Sequence, residues 1–325
     1  MNDASPIDAE PPNSSASIWS DASLLGVALI WGINIPLMKT GLDELNVFVF
    51  NAIRLAVSAL VLTLFGWREL RQGLLPKTGI TWKQVVIYAV LASGFYQLLF
   101  VLGMAYTTSG NTALIMATVP MWTALLALVF LGEVLHRVSW WGLVIALAGT
   151  VLVAAQKGDV TAGGDHLLGN LIILAAALFW AGGTVYSRPL LTQISPMQLS
   201  ALASAIAIPM HVGFAWGHFE NSLPVLHSPS LWMILLYSGI FSTGLALPMW
   251  NYGVRHAGAA HAAIIQNLIP LVAIATAWFS RGETATIAQL SGGVLILGGL
   301  VIMRTGRRKM DPAQNTTVAP ASSRR

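Results

Sequence analysis

The chain has 325 residues, 55% of them hydrophobic and only 9% charged, against about 25% charged in a soluble domain. So little charge leaves lipid as the expected solvent for most of the chain, and the net charge of +4 reads as loop Lys and Arg that set membrane orientation, not as a nucleic-acid surface. The absence of cysteine excludes disulfides, iron–sulfur clusters and thiolate metal sites.

The first twenty residues are polar and acidic (Asp3, Asp8, Glu10) and carry no Lys or Arg, so they lack the positive start of a secretory signal. Residues 1–21 are expected to form a disordered cytoplasmic tail. Ten apolar runs follow, at roughly 22–39, 46–66, 83–105, 111–131, 138–155, 168–188, 197–216, 231–252, 259–279 and 286–304, each near the length of about 20 residues that a helix needs to cross a bilayer. They are too long and continuous for the alternating strands of a membrane barrel. A basic tail, 305–325, closes the chain. The expected fold is an all-α integral membrane protein of ten transmembrane helices.

Of the 17 Lys and Arg, thirteen fall in loops on one side and in the C-terminal tail, while Lys39, Lys157 and Arg281 fall on the other. This bias expects both termini in the cytoplasm of a bacterial-type inner membrane. Arg54 alone lies within a span, about eight residues or about 12 Å into the second one. Asn51, Arg54 and Ser58 share its face by helical spacing. An intramembrane Arg marks a functional site by default; the alternatives are snorkelling to the outer surface or a structural pair with Asp43 or Glu44.

The chain repeats itself. Trp82 and Trp232, Gly94 and Gly244, Gly103 and Gly253, Pro120 and Pro270, Gly132-Glu133 and Gly282-Glu283, and Gly142 and Gly292 all recur at an offset of 150. Leu29-Ile30-Trp31 aligns with Leu178-Phe179-Trp180 at 149. A series at nearly one offset argues for duplication, with units at 22–155 and 156–304. Each unit has five spans, an odd number, so the second starts on the opposite side of the membrane: two inverted five-helix repeats.

No carboxylate falls in the interior of a span. Glu133 and Glu283 open the fifth and tenth helices, where the dipole stabilises a carboxylate. Trp31, Trp122, Trp180 and Trp250 fall near mid-span, where an indole N–H needs a partner or a wet cavity. Trp31 and Trp180, related by the repeat, are expected to face each other across a central cleft; ordinary core packing is the alternative. Asn34, Tyr96, Gln97, Asn111, Tyr186, Gln266 and Asn267 are costly against lipid and serve either as cavity lining or as interhelical glue. Pro270 and Pro120 are expected to kink the ninth and fourth helices, beside Gln266-Asn267 and Trp122. Gly142, Gly149, Gly292 and Gly299 give the fifth and tenth helices small-residue faces for close packing, within a monomer or at a homodimer interface. His211 sits well inside a span with no obvious partner.

Residues 113–120 (ALIMATVP), 130–133 (FLGE), Gly142 and Gly149, echoed in 262–270, Arg281-Gly282-Glu283, Gln289 and 292–299, resemble the EamA domain of the drug/metabolite transporter superfamily, present twice. The resemblance implies a membrane transporter with peripheral fifth and tenth helices, in a family that exports amino acids, related metabolites and some toxic compounds; the Trp-rich first helices are similar to those of aromatic amino acid exporters. The superfamily's small multidrug exporters rely on an acid in the first helix. Here Trp31, Asn34 and Pro36 stand there instead, which favours a uniporter or exchanger over a proton-coupled cation pump. The expected cargo is a small molecule, an amino acid first, bound by the mid-span set and Arg54, with lipid the only other partner and no cofactor or metal. Ion-coupled export of drugs, or a non-transporting sensor or scaffold, are the competing expectations.

Overall fold

The computed structural model describes residues 14–71, 79–131, 137–154, 166–191, 193–257, 265–266 and 268–308. Among the described residues ten main helices carry the architecture: α1 Ser14–Glu44, α2 Val47–Arg71, α3 Trp82–Tyr106, α4 Ser109–Phe130, α5 Arg137–Ala154, α6 His166–Leu190, α7 Pro196–Ala215, α8 Pro229–Gly253, α9 Ile269–Arg281 and α10 Ile287–Arg308. Seven of them (α1–α4 and α6–α8) are long and apolar enough to cross a membrane; α5, α9 and α10 are shorter apolar helices. The ten-span expectation is thus met in length by seven.

Local sequence sets the helix starts. Thr81 caps α3 in a reciprocal box with Gln84, Ser195 and Ser228 cap α7 and α8 just ahead of Pro196 and Pro229, and Thr286 pairs with Gln289 at α10. Each satisfies N–H groups that a helix start leaves open. At the far end of α9, Gly282 takes the left-handed conformation, φ 65°, which a glycine adopts without strain. Helix α1 begins at Ser14 and α10 runs to Arg308, so the helices outrun the expected spans at both termini. Hydropathy marks the lipid-crossing part of a helix, not its ends.

Two expected kinks are breaks instead. Ala117 and Thr118 leave the helix between Ser109–Met116 and Val119–Leu131, and Pro120 falls in the first turn of the second piece. Pro270 likewise falls in the first turn of α9. Proline lacks an N–H, which a helix start does not need, so each proline opens a segment and does not bend a continuous one. A second irregularity is also repeated: α3 is π-helical over Ala89–Phe95 and α8 over Tyr237–Leu245.

The packing has the same regularity. Helix α1 lies against α8 and α9, and α6 against α3 and α4; α2 packs on α7 and α8, and α7 on α2 and α3; α5 packs on α10. Exchanging each helix for the one five places along leaves these pairings unchanged. The α5–α10 seam is the tightest. A Cβ on Gly142 would stand 2.3 Å from the Met303 backbone nitrogen and 2.5 Å from the Gly299 carbonyl oxygen, so only glycine lets the two backbones meet. The small-residue faces therefore meet within one chain. Outward, Phe130, Trp141, Phe279 and Ile287 are exposed, as lipid-facing side chains are.

Candidate functional site

A cavity lies where α1, α2, α3, α6 and α8 converge beside Met116, Gln266 and Ile269. Helix α1 contributes Trp31, Asn34 and Ile35, which its 3.6-residue repeat sets on one face. Tyr96, Gln97 and Phe100 follow directly on the π segment of α3; Ser242, Thr243 and Leu247 come from the matching stretch of α8. Such π turns are rare and cluster at functional sites.

Its aromatic wall is contiguous. Trp31 meets Trp180 edge to face at 6.0 Å between centroids and Trp250 at 5.6 Å. Tyr96 lies 4.7 Å from Trp180 and 5.6 Å from Phe100. The Trp31 indole N–H donates to the Ser242 carbonyl at 2.8 Å, which fixes the ring and meets the demand of a buried indole. Asn34 accepts from Ser238 at 2.5 Å.

Arg54 supplies the charge. Its side chain is 2% exposed, and it is the one Lys, Arg, Asp or Glu buried among the described residues. Snorkelling is therefore ruled out, and so is a pair with Asp43, which binds Arg281 at 2.9 Å. Arg54 Nε and Nη2 donate to Asn51 Oδ1 at 3.0 and 2.8 Å, Nη2 donates to Gln97 Oε1 at 2.6 Å, and Nη1 reaches Thr243 Oγ1 at 3.4 Å. All these acceptors are neutral.

His211 of α7 completes the setting. Its Nε2 lies 2.8 Å from the Ser93 carbonyl and its Nδ1 3.1 Å from Asn51 Nδ2. A carbonyl only accepts, so Nε2 carries the proton and Nδ1 accepts from the Asn51 amide. Asn51 must then turn its oxygen toward Arg54. One carbonyl in the π segment thereby dictates, through two side chains, where the guanidinium points. Neither Ser93 nor Ser242 has a one-dimensional signal beyond the Gly94–Gly244 repeat beside them.

The other candidates lie elsewhere. Trp250 packs behind Trp31 in an apolar cluster, and Trp122, bonded to Thr118 at 3.0 Å, packs beside the same cluster. Tyr186 packs among Leu190, Leu199 and Val85. Asn111 belongs to a separate buried network: it donates to Thr107 and Asn170 and accepts from Gln289 at 2.8 Å. Asn267 and Glu133 are outside the described residues.

At the end of α1 a polar cluster ties several helices. Arg281 binds Asp43 and Glu283, at 2.9 and 2.7 Å, and donates to Thr40 at 2.9 Å. Glu283 accepts from the Ser109 backbone and hydroxyl at 3.2 Å; it caps α4, not α10 as expected, because Thr286 already caps α10. Lys39 donates to the carbonyls of Met104 and Ala105 at the end of α3. At the opposite end a wide cleft opens among Trp19, Ser23, Glu69, Met197, Met249 and Tyr252.

The EamA-like transporter family model matches the chain twice, over residues 18–155 and 167–305. A probable terminal-alkyne amino-acid exporter of Streptantibioticus cattleyicolor is 25% identical over 309 aligned positions, covering 91% of this chain and 96% of the relative. A probable amino-acid metabolite efflux pump of Salmonella typhimurium is 25% identical over 87% of this chain and 93% of its own. The uncharacterized transporter YoaV of Bacillus subtilis is also 25% identical, over 88% and 98%. One solved crystal structure shares the fold with a TM-score of 0.63 at 19% identity, covering 92% of this chain and 100% of its own. On the double match, this chain is a multi-pass membrane protein that belongs to the EamA-like transporter family.

Proposed function

We propose that the protein exports a small metabolite by alternating access, with an amino acid bearing an apolar or aromatic side chain as first cargo, acting as a uniporter or exchanger. The chain then crosses a bacterial inner membrane ten times as two inverted five-helix repeats, 22–155 and 156–304, with both termini in the cytoplasm. The packing that survives exchange of the halves supports the repeats, and the one-sided Lys and Arg support the orientation.

The observation that carries the functional reading is the position of the aromatic cavity. Trp31 and Trp180 come from corresponding places in the two halves and meet at its wall, beside the broken helices that open at Pro120 and Pro270. Transporter sites concentrate where discontinuous helices meet at the repeat interface. In this orientation the Arg281 cluster closes the outer end and the wide cleft opens toward the cytoplasm, as suits an exporter waiting for cargo. Two relatives named for amino-acid export or efflux favour that cargo class.

The test is flux of radiolabelled amino acids in proteoliposomes of purified protein. Saturable flux, lost in Trp180→Ala, is expected. A folded protein that moves no amino acid or other metabolite supports a sensor or scaffold instead.

A further inference from the structure

Arg54 carries a full charge at the wall of the cavity, and every acceptor it meets among the described residues is neutral. A guanidinium has five N–H groups. One serves Asn51 from Nε, two serve Asn51 and Gln97 from Nη2, and one Nη1 hydrogen faces Thr243 at 3.4 Å. The second Nη1 hydrogen has no partner among the described residues. The relay from Ser93 through His211 and Asn51 fixes the fork, so this free donor is held in place.

A buried, hydrogen-bonded but uncompensated cation is a strong demand for an anion. It is strongest when the cavity closes and water leaves, because the local dielectric falls. The aromatic rings beside it demand a flat apolar body. Nothing among the lining residues supplies a negative group for an ammonium. A zwitterion would leave the closed site with a net positive charge; a monocarboxylate would leave it neutral.

We propose that the cavity reads its cargo through the carboxylate, at Arg54, and does not read the amine. It then takes aromatic monocarboxylates that lack a free ammonium at least as well as the corresponding amino acids. This rests on the cavity being the cargo site, and extends the cargo from amino acids to their amine-free analogues. His211 and Asn51 are positioning residues: they aim the guanidinium and do not touch the cargo.

The experiment uses three matched probes on the purified protein, by calorimetry and thermal shift: L-phenylalanine, 3-phenylpropanoate and 2-phenylethylamine. The expected order places 3-phenylpropanoate equal to or tighter than phenylalanine, and both at least about tenfold tighter than 2-phenylethylamine, a margin typical of one charge-assisted contact. Arg54→Gln, with its melting transition checked, should erase that margin. In His211→Asn, an amide oxygen can take the place of Nδ1 but the bond to Ser93 is lost, so affinity for 3-phenylpropanoate is expected to fall less than in His211→Leu. His211→Leu breaks the relay and should raise KM for the carboxylates about tenfold, with maximal flux little changed. Amine binding as tight as carboxylate binding, or phenylalanine far tighter than 3-phenylpropanoate, overturns the proposal even if Arg54→Gln does not fold. No binding of any probe while the liposomes carry another metabolite overturns it and leaves the transport reading standing. No flux of any metabolite overturns both.

Discussion

Trp31 and Trp180 meet edge to face, 6.0 Å between ring centroids with planes at 85°. They hold corresponding positions in the two halves, yet their surroundings differ. Trp31 also donates to the Ser242 carbonyl and packs on Trp250, while Trp180 packs on Tyr96. The pair is thus a joint between halves and a wall of the cavity at once. Trp31→Phe keeps a ring but loses the indole donor, leaving a buried carbonyl short of one bond. A cost of about 1 kcal/mol is expected. Trp31→Ala and Trp180→Ala should each abolish most cargo flux, and a double-mutant cycle on melting should return a coupling of about 0.5–1.5 kcal/mol. Additive melting shifts and undiminished flux in both variants would refute the joint.

The Arg281 cluster is the second relationship with a consequence. Arg281 ties α9 to Asp43 at the end of α1 and to Glu283, which caps α4. Asp43 is half exposed, so solvent screens the pair and its contribution to stability is at most about 1 kcal/mol. The expected effect is on accessibility. The chain has no cysteine, so a single Ile35→Cys in the cavity can be labelled without interference. Arg281→Ala should raise its labelling rate from the outer side several-fold with little change in melting temperature. An unchanged rate would show that the cluster does not hold that end closed.

Asn111 offers the complementary case. It is buried in a network with Thr107, Asn170 and Gln289 that joins the α3–α4 turn, α4, α6 and α10, away from the cavity lining. Asn111→Leu leaves buried amide partners unpaired, at about 1–3 kcal/mol. Melting temperature should fall while the cargo KM of the folded fraction stays unchanged. A raised KM at normal stability would put Asn111 back in the cargo path.

The α5–α10 seam predicts a purely structural defect. Gly142→Val would push a side chain into the Met303 and Gly299 backbone, where there is no flexible neighbour to yield. Overpacking of this kind costs about 1–3 kcal/mol or more. A large loss of thermal stability with an unaltered KM is the expected outcome; a variant as stable as wild type would mean the helices separate freely.

The sequence revealed helices and repeats far better than it revealed faces. Continuous apolar runs and the 150-residue offset are properties of the chain read in one dimension, and both survive in the packing. Pro270 was less legible because its missing N–H suits either a kink or a helix start, and only the break ahead of Ile269 decides between them. Arg54 and Asn111 look alike as polar groups in apolar spans. Arg54 meets Gln97 and Thr243 at the cavity wall, whereas Asn111 is enclosed by Asn170 and Gln289 away from it, and both sets of partners come from other helices. Depth along a helix can be read from hydropathy, but the direction a side chain faces depends on its neighbours. The π segments have no composition of their own, so Ser93 and Ser242, whose carbonyls orient His211 and Trp31, gave no signal. His211 shows no partner in the sequence because one partner is a backbone atom of α3 and the other, Asn51, lies on a helix 160 positions away.

Alternation of the central cavity between the two sides is the claim on which the rest depends. It is tested most directly by a single Ile269→Cys, on the cavity wall, in membrane vesicles of both orientations treated with a membrane-impermeant thiol reagent. Labelling from either side, one side at a time, with cargo protecting the cysteine from both, is the expected result. Labelling from one side only, with and without cargo, would contradict it.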